Sequence, residues 1–183
     1  MPLANINKDD YAEFRDFLES VCGIVLGDNK QYLVQSRLGR LMADTGAVSL
    51  GDLVARLRRE TGGGPLRERV IEAMTTNETL WFRDRHPFDI LGRQVLPRLA
   101  GEGRSPVRIW SAACSSGQEP YSISMTVEDF LAGQPGALRD VQILATDVSP
   151  AVLADARAAS YEAEALSRGL PEDYRRRYFE PDT

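Results

Sequence analysis

VRIWSAACSSGQEPYSISMTVEDFLAGQPGALRDVQILATD (Val107–Asp147) is the stretch on which the fold of this chain turns. It opens with VRIWSAA, a short β-rich run that flows into the small-residue turn Cys114-Ser115-Ser116-Gly117. Apolar residues then recur at helical spacing, at Ile123, Val127, Phe130 and Leu131. A second apolar run, VQILATD, ends at Asp147, after which Ser149 and Pro150 provide a cap and a first-turn proline for the helical AVLADARAAS. The order β-α-β-α is the start of a doubly wound parallel sheet, and the near-continuous apolar runs predict strands buried on both faces.

Upstream, from Asp9 to about Ala100, helical spacing dominates and no strand-like alternation competes. Tyr11, Phe14, Leu18 and Val21 line a first helix ending at Gly23, and Val34, Leu38 and Leu41 a second ending near Gly46. Leu50, Leu53, Val54 and Leu57 follow a Ser49 cap, and the breaker Gly62 to Pro65 precedes a fourth helix through Leu66, Val70 and Met74. Phe88, Leu91, Val95 and Leu99 predict a fifth. The pattern changes at Gly101 to Pro106, which by periodicity reads as a domain boundary, and the tail around Tyr174 to Tyr178 reads as helical.

The 183 residues, 43% hydrophobic and 27% charged, allow a packed core and exclude wholesale disorder. No apolar run reaches the roughly 18 to 20 residues that cross a bilayer, and the start MPLANINKDDYAEF has neither a basic nor an apolar leader region. Secretion and membrane insertion are therefore disfavoured. Two cysteines, Cys22 and Cys114, make no disulfide framework, and the single histidine, His86, supplies no metal site; a reducing cytoplasm fits best. The net charge is −5, yet residues 30–69 hold eight basic and four acidic side chains. That local excess attracts an acidic partner, or is a solvated set of helix faces with internal ion pairs. Nucleic acid is disfavoured, because the whole chain is acidic and no aromatic set is interleaved with the arginines.

In an open α/β sheet, ligands bind beyond the carboxyl ends of the strands. After strand one, Ala112 to Gly117 are small enough for a ligand to approach the backbone, with the amides of the next helix directed at it. After strand two, Asp147 is placed to accept both hydroxyls of a ribose, so an adenosine-type cofactor is expected. Taken separately, the turn also reads as a plain strand-to-helix connection and Asp147 as a helix cap. The turn lacks G-x-G-x-x-G and the P-loop lysine, which disfavours NAD, FAD and a nicotinamide oxidoreductase.

Three separated blocks, TTNETLWFRDRHPFDIL (Thr75 to Leu91), IWSAACSSGQEPYSISM (Ile109 to Met125) and ILATDVSPAVLADA (Ile143 to Ala156), resemble in order and spacing the chemotaxis receptor methyltransferases of the CheR type. FRDFLESVCGIVLGDNKQYLVQSRLGRLM resembles that family's small helical domain, so the likeness covers nearly the whole chain. The resemblance implies an all-α N-terminal domain at 1–86, followed at 87–183 by the first half of a Rossmann-like methyltransferase fold. It implies methyl transfer from S-adenosylmethionine, leaving S-adenosylhomocysteine, to glutamate side chains on the cytoplasmic helices of methyl-accepting chemoreceptors. Such chemistry needs no histidine or metal: a glutamate is ionised at neutral pH and attacks the sulfonium methyl in line, so placement is the main task.

The same resemblance places Arg83 at the methyl-transfer site, Asn77 and Thr79 beside the cofactor, Glu119 near its methionine or ribose portion, and Asp147 on the ribose hydroxyls. Without it, Arg83 reads equally as a surface partner of Asp84 or Glu78, Asn77 and Thr79 as caps, and Glu119 as a first-turn acid. Trp81 and Phe82 read as packing residues fixing the Arg83 loop, and Trp110 and Tyr121 as packing around strand one. Lys30, Arg37, Arg40 and Arg56 are expected to face the acidic receptor helices. A non-catalytic module that binds receptors or senses S-adenosyl compounds is the alternative. Relative to the family the chain stops after the second βα unit; a truncated form, able to dimerise through its uncovered sheet edge, is expected.

Overall fold

The computed structural model describes residues 6–60 and 62–181 and divides into two compact units between Thr76 and Asn77, with 148–150 grouped with the first. The division falls upstream of the expected boundary at 86/87, and the change of pattern at 101–106 lies within the second unit. The reason is Trp81 and Phe82, which are buried in an aromatic cluster of the second unit with Tyr161, Tyr174 and Phe179.

Among the described residues the first unit is four helices: α1 (Lys8–Cys22), α2 (Gln31–Thr45), α3 (Leu50–Arg59) and α4 (Pro65–Met74). Asn7 starts α1 by accepting the Asp10 N–H at 2.8 Å, and Ser49 starts α3 by accepting the Asp52 N–H at 3.0 Å. Pro65 occupies the first turn of α4, where its missing N–H costs nothing. Phe14, Leu18, Val34, Leu38, Leu53, Leu57 and Val70 are sealed from solvent in one core, as their helical spacing requires.

Basic side chains expected to face a receptor are partly consumed here. Arg37 donates to the Met74 carbonyl at 2.5 Å, the Thr75 carbonyl at 3.1 Å and Thr76 Oγ1 at 2.7 Å. Arg56 donates to the carbonyls of Thr45 at 2.6 Å and Gly46 at 3.0 Å while pairing with Asp52 at 2.9 Å. Both guanidinium groups therefore cap the carbonyl ends of helices, α4 for Arg37 and α2 for Arg56, where cations are favoured and carbonyls lack helical donors. Of the four residues expected to face a receptor, Lys30 and Arg40 are exposed, and Arg37 and Arg56 are half-buried against these helix ends. Arg37→Ala is expected to destabilise the first unit by about 1.5 kcal/mol, the range for charged hydrogen bonds, measurable as a lowered urea midpoint.

The second unit runs α5 (His86–Ile90), a π-helical turn (Leu91–Val95), α6 (Leu96–Gly101), β1 (Val107–Ala112), α7 (Gln118–Gly133), β2 (Val141–Thr146), α8 (Pro150–Ala158), α9 (Ala163–Ser167) and α10 (Glu172–Tyr178). The expected single fifth helix is thus interrupted. Pro97 has no N–H for the preceding turn, and the Leu96 N–H instead reaches back to Leu91 in the wider π spacing. β1 and β2 pair in parallel from Val107↔Val141 to Ala112↔Thr146. Val107, Ile109, Val141 and Ile143 pack with Leu96, Ile123, Val127 and Phe130.

The opposite sheet face does not follow the expectation of two buried faces. Trp110 is 68% and Leu144 63% exposed, and Trp110 is held only at its rim, its Nε1–H donating to Thr146 Oγ1 at 2.9 Å. Among the described residues no element lies over these side chains, so strands with the composition of a central sheet keep one apolar face open. Tyr121, in contrast, joins the aromatic cluster around Trp81.

Candidate active site

The turn after β1 is built from strained backbone. Ala113 (φ 57°) and Ser115 (φ 49°) alternate with Gly117 (φ 98°) before α7 begins, and strain of this kind persists only where the surroundings over-determine it. Those surroundings are visible. The Cys114 N–H extends the ladder to the Thr146 carbonyl at 2.9 Å, and the Ser115 N–H donates to Asp147 Oδ2 at 2.8 Å. Ser115 Oγ donates to the Asn77 carbonyl at 2.9 Å, and the Tyr161 hydroxyl to the Ser116 carbonyl at 2.8 Å.

Two readings of the turn change as a result. Asp147 does sit beside it, yet one carboxylate oxygen is engaged in shaping the loop. Gly117 is needed by the protein itself: a Cβ there would meet the Tyr161 hydroxyl at 2.9 Å, Ala156 at 3.0 Å and the Tyr121 ring at 3.1 Å. The backbone open to a ligand is that of Ala112 and Ala113, both exposed.

Residues 77–85 form an arm whose backbone is also left-handed at Phe82 (φ 49°), Asp84 (φ 63°) and Arg85 (φ 49°). The Trp81 N–H donates to the Arg168 carbonyl at 3.2 Å, and the Phe82 N–H to Ser122 Oγ at 3.1 Å. The Phe82 ring stacks on Tyr174 and meets Phe88 edge-on, both at 5.2 Å. Arg83 is exposed; its guanidinium donates to the Glu78 carbonyl at 3.3 Å, whereas the Glu78 carboxylate pairs with Arg168 at 3.6 Å.

Arg83 and Glu119 line one open cavity of about 400 Å³ together with Asp84, Pro87, Phe88, Leu91 and Ile123. Glu119 accepts the hydroxyl of Ser111 at 2.6 Å, and Ser111 is almost fully buried. A larger cavity of about 830 Å³, beside Arg93 and Tyr174, contains none of the sequence-predicted cofactor residues. Asn77 and Thr79 are half-buried on the arm, Asn77 contributing a backbone carbonyl.

Burial raises the Cys114 thiol, and the neighbouring charges of Asp147 and Glu119 raise it further, so it stays protonated and is no nucleophile at neutral pH. The same two carboxylates flank the turn with negative charge, which suits a sulfonium ligand with ribose hydroxyls. Ser111, Ser115, Ser122 and Tyr161 escape a reading based on apolar periodicity. Ser111 alone carries a signal, as a polar residue sharing the inward parity of Val107 and Ile109.

Residues 77–183 match the model described as CheR methyltransferase, SAM binding domain, and residues 9–75 that described as CheR methyltransferase, all-alpha domain. The chain is 54% identical over 173 residues to Chemotaxis protein methyltransferase 1 of Pseudomonas aeruginosa, covering 93% of this chain and 62% of that protein. It is 50% identical over 184 residues to a chemotaxis protein methyltransferase of Vibrio parahaemolyticus, covering 98% and 65%. A chemotaxis protein methyltransferase of Borreliella burgdorferi is 35% identical over 166 residues, covering 88% and 58%. The chain thus spans about three fifths of the length of these relatives. With both of its units matched in order by the models of one family, the chain belongs to the CheR methyltransferase family.

Proposed function

We propose that the complete protein transfers a methyl group from S-adenosylmethionine to glutamate side chains on the cytoplasmic helices of chemoreceptors. The observation that carries the reading is the cavity shared by Arg83 and Glu119, an arginine fork and a carboxylate on the rim of a mainly apolar space of about 400 Å³. When bound, S-adenosylmethionine supplies an electrophilic methyl group on a positively charged sulfur. Asp147 and the turn from Ala112 would hold its ribose, and Glu119, oriented by Ser111, its cationic portion. Arg83 binds and orients the substrate carboxylate, and Phe88, Leu91 and Ile123 give it an apolar wall to lie against. The test is methyl-labelled S-adenosylmethionine with receptor membranes and the complete protein. Alkali-labile label on the receptor is expected; tight cofactor binding without transfer would return a non-catalytic sensing module.

Lys30 and Arg40 carry the receptor-facing charge in this reading, since Arg37 and Arg56 are committed to helix ends. Changing both to glutamate is expected to lower receptor methylation by about fivefold at low salt, with the deficit shrinking as salt screens the encounter. Cofactor affinity by calorimetry should stay at the wild-type value; an equal loss of both would move these residues into the folding of the first unit.

A further inference from the structure

We propose that Ser122 is a positioning residue for Arg83, acting through its hydrogen bond to the backbone N–H of Phe82; this deepens the methyl-transfer reading and rests on it. Ser122 lies on α7 and is fully buried, at 0% exposure. Its hydroxyl donates to the Gln118 carbonyl at 2.6 Å and accepts the Phe82 N–H at 3.1 Å. A hydroxyl has one proton, and with that proton committed to Gln118 a lone pair is left directed at Phe82.

Phe82 immediately precedes Arg83 and is held at φ 49°, with Asp84 at φ 63° on the other side. A left-handed backbone at a phenylalanine relaxes unless something holds it. Tyr174 and Phe88 hold the ring, but a ring clamp leaves the peptide plane free to rotate about it. Ser122 supplies the backbone anchor from α7, the helix that also carries Glu119. The Arg83 side chain is exposed and its one hydrogen bond among the described residues, to the Glu78 carbonyl at 3.3 Å, is long, so its place in the cavity it shares with Glu119 is set mainly by its own backbone. One hydroxyl therefore fixes the register between the substrate-binding arginine and the cofactor-binding helix.

The test compares Ser122→Thr and Ser122→Val in the complete protein, with S-adenosylmethionine and receptor membranes. The two side chains share one shape and differ by the hydroxyl. Turnover of the valine variant is expected to fall about tenfold below that of the threonine variant, with KM for the cofactor unchanged, as for an interaction serving only the reacting geometry. In an Arg83→Ala background the threonine-to-valine ratio should collapse to about one, because residues acting through a shared partner are not additive. Should the branched side chains prevent folding, Ser122→Ala against wild type carries the same comparison. Equal turnover of the paired variants overturns the proposal, and so does a tenfold ratio that persists without Arg83, which would mean a general role in the fold. Wild-type turnover by Arg83→Ala alone is a different outcome: it overturns the methyl-transfer assignment of Arg83 and the positioning role with it.

Discussion

Replacing Arg83 by alanine is expected to lower receptor methylation by the complete protein by about 100-fold, the loss that follows when a reacting group is no longer held in line with its target. Cofactor affinity should change little, because the partner proposed for the guanidinium, the substrate carboxylate, is absent until the receptor arrives. The resting structure agrees with a group kept available, since Arg83 is exposed and makes one long bond to the Glu78 carbonyl instead of an ion pair. Lysine should rescue poorly, because a point charge does not reproduce the planar fork. Single-turnover methylation at saturating cofactor measures the effect. Wild-type turnover would return Arg83 to the surface.

Asp147→Ala is expected to weaken S-adenosylmethionine binding by about 1.5 to 3 kcal/mol, the range for a charged hydrogen bond. The geometry adds a complication that the sequence did not contain, because Asp147 also accepts the Ser115 N–H at 2.8 Å and so shapes the turn. Asp147→Asn separates the two roles. Its amide oxygen can still accept from Ser115, whereas its charge and one of its acceptor positions are gone. Calorimetry should therefore find the asparagine variant weakened nearly as much as the alanine variant. Wild-type affinity in Asp147→Asn would mean that the carboxylate serves the turn and not the ribose.

Much of this architecture was legible because it is encoded within one or two turns of chain. Ser49 followed by Leu50, Leu53, Val54 and Leu57 specifies α3 by a cap and a helical stripe, and the cap and the burial are those observed. β1, the small-residue turn, α7 and β2 follow from the same local rules, and they suffice to put Asp147 beside the turn. Resemblance in three blocks added Arg83 and Glu119, which the structure brings to one cavity.

What the residues by themselves determined is thus the order and type of the elements and the strand ends where a ligand would sit, since periodicity and capping are short-range and each is decided by neighbours three or four positions apart. Tertiary structure alone decided which groups were already spoken for. Arg37 is consumed by carbonyls 37 and 38 positions away, Gly117 is filled by Tyr161 and Ala156, and Ser122 reaches Phe82 across 40 positions. It also decided that Trp110 stays exposed, although its strand reads as buried on both sides. A charge or a hydroxyl has the same local signature whether it faces solvent, a substrate or a distant helix end, and only the folded backbone, by bringing a carbonyl or an N–H within about 3 Å, settles which of these it serves.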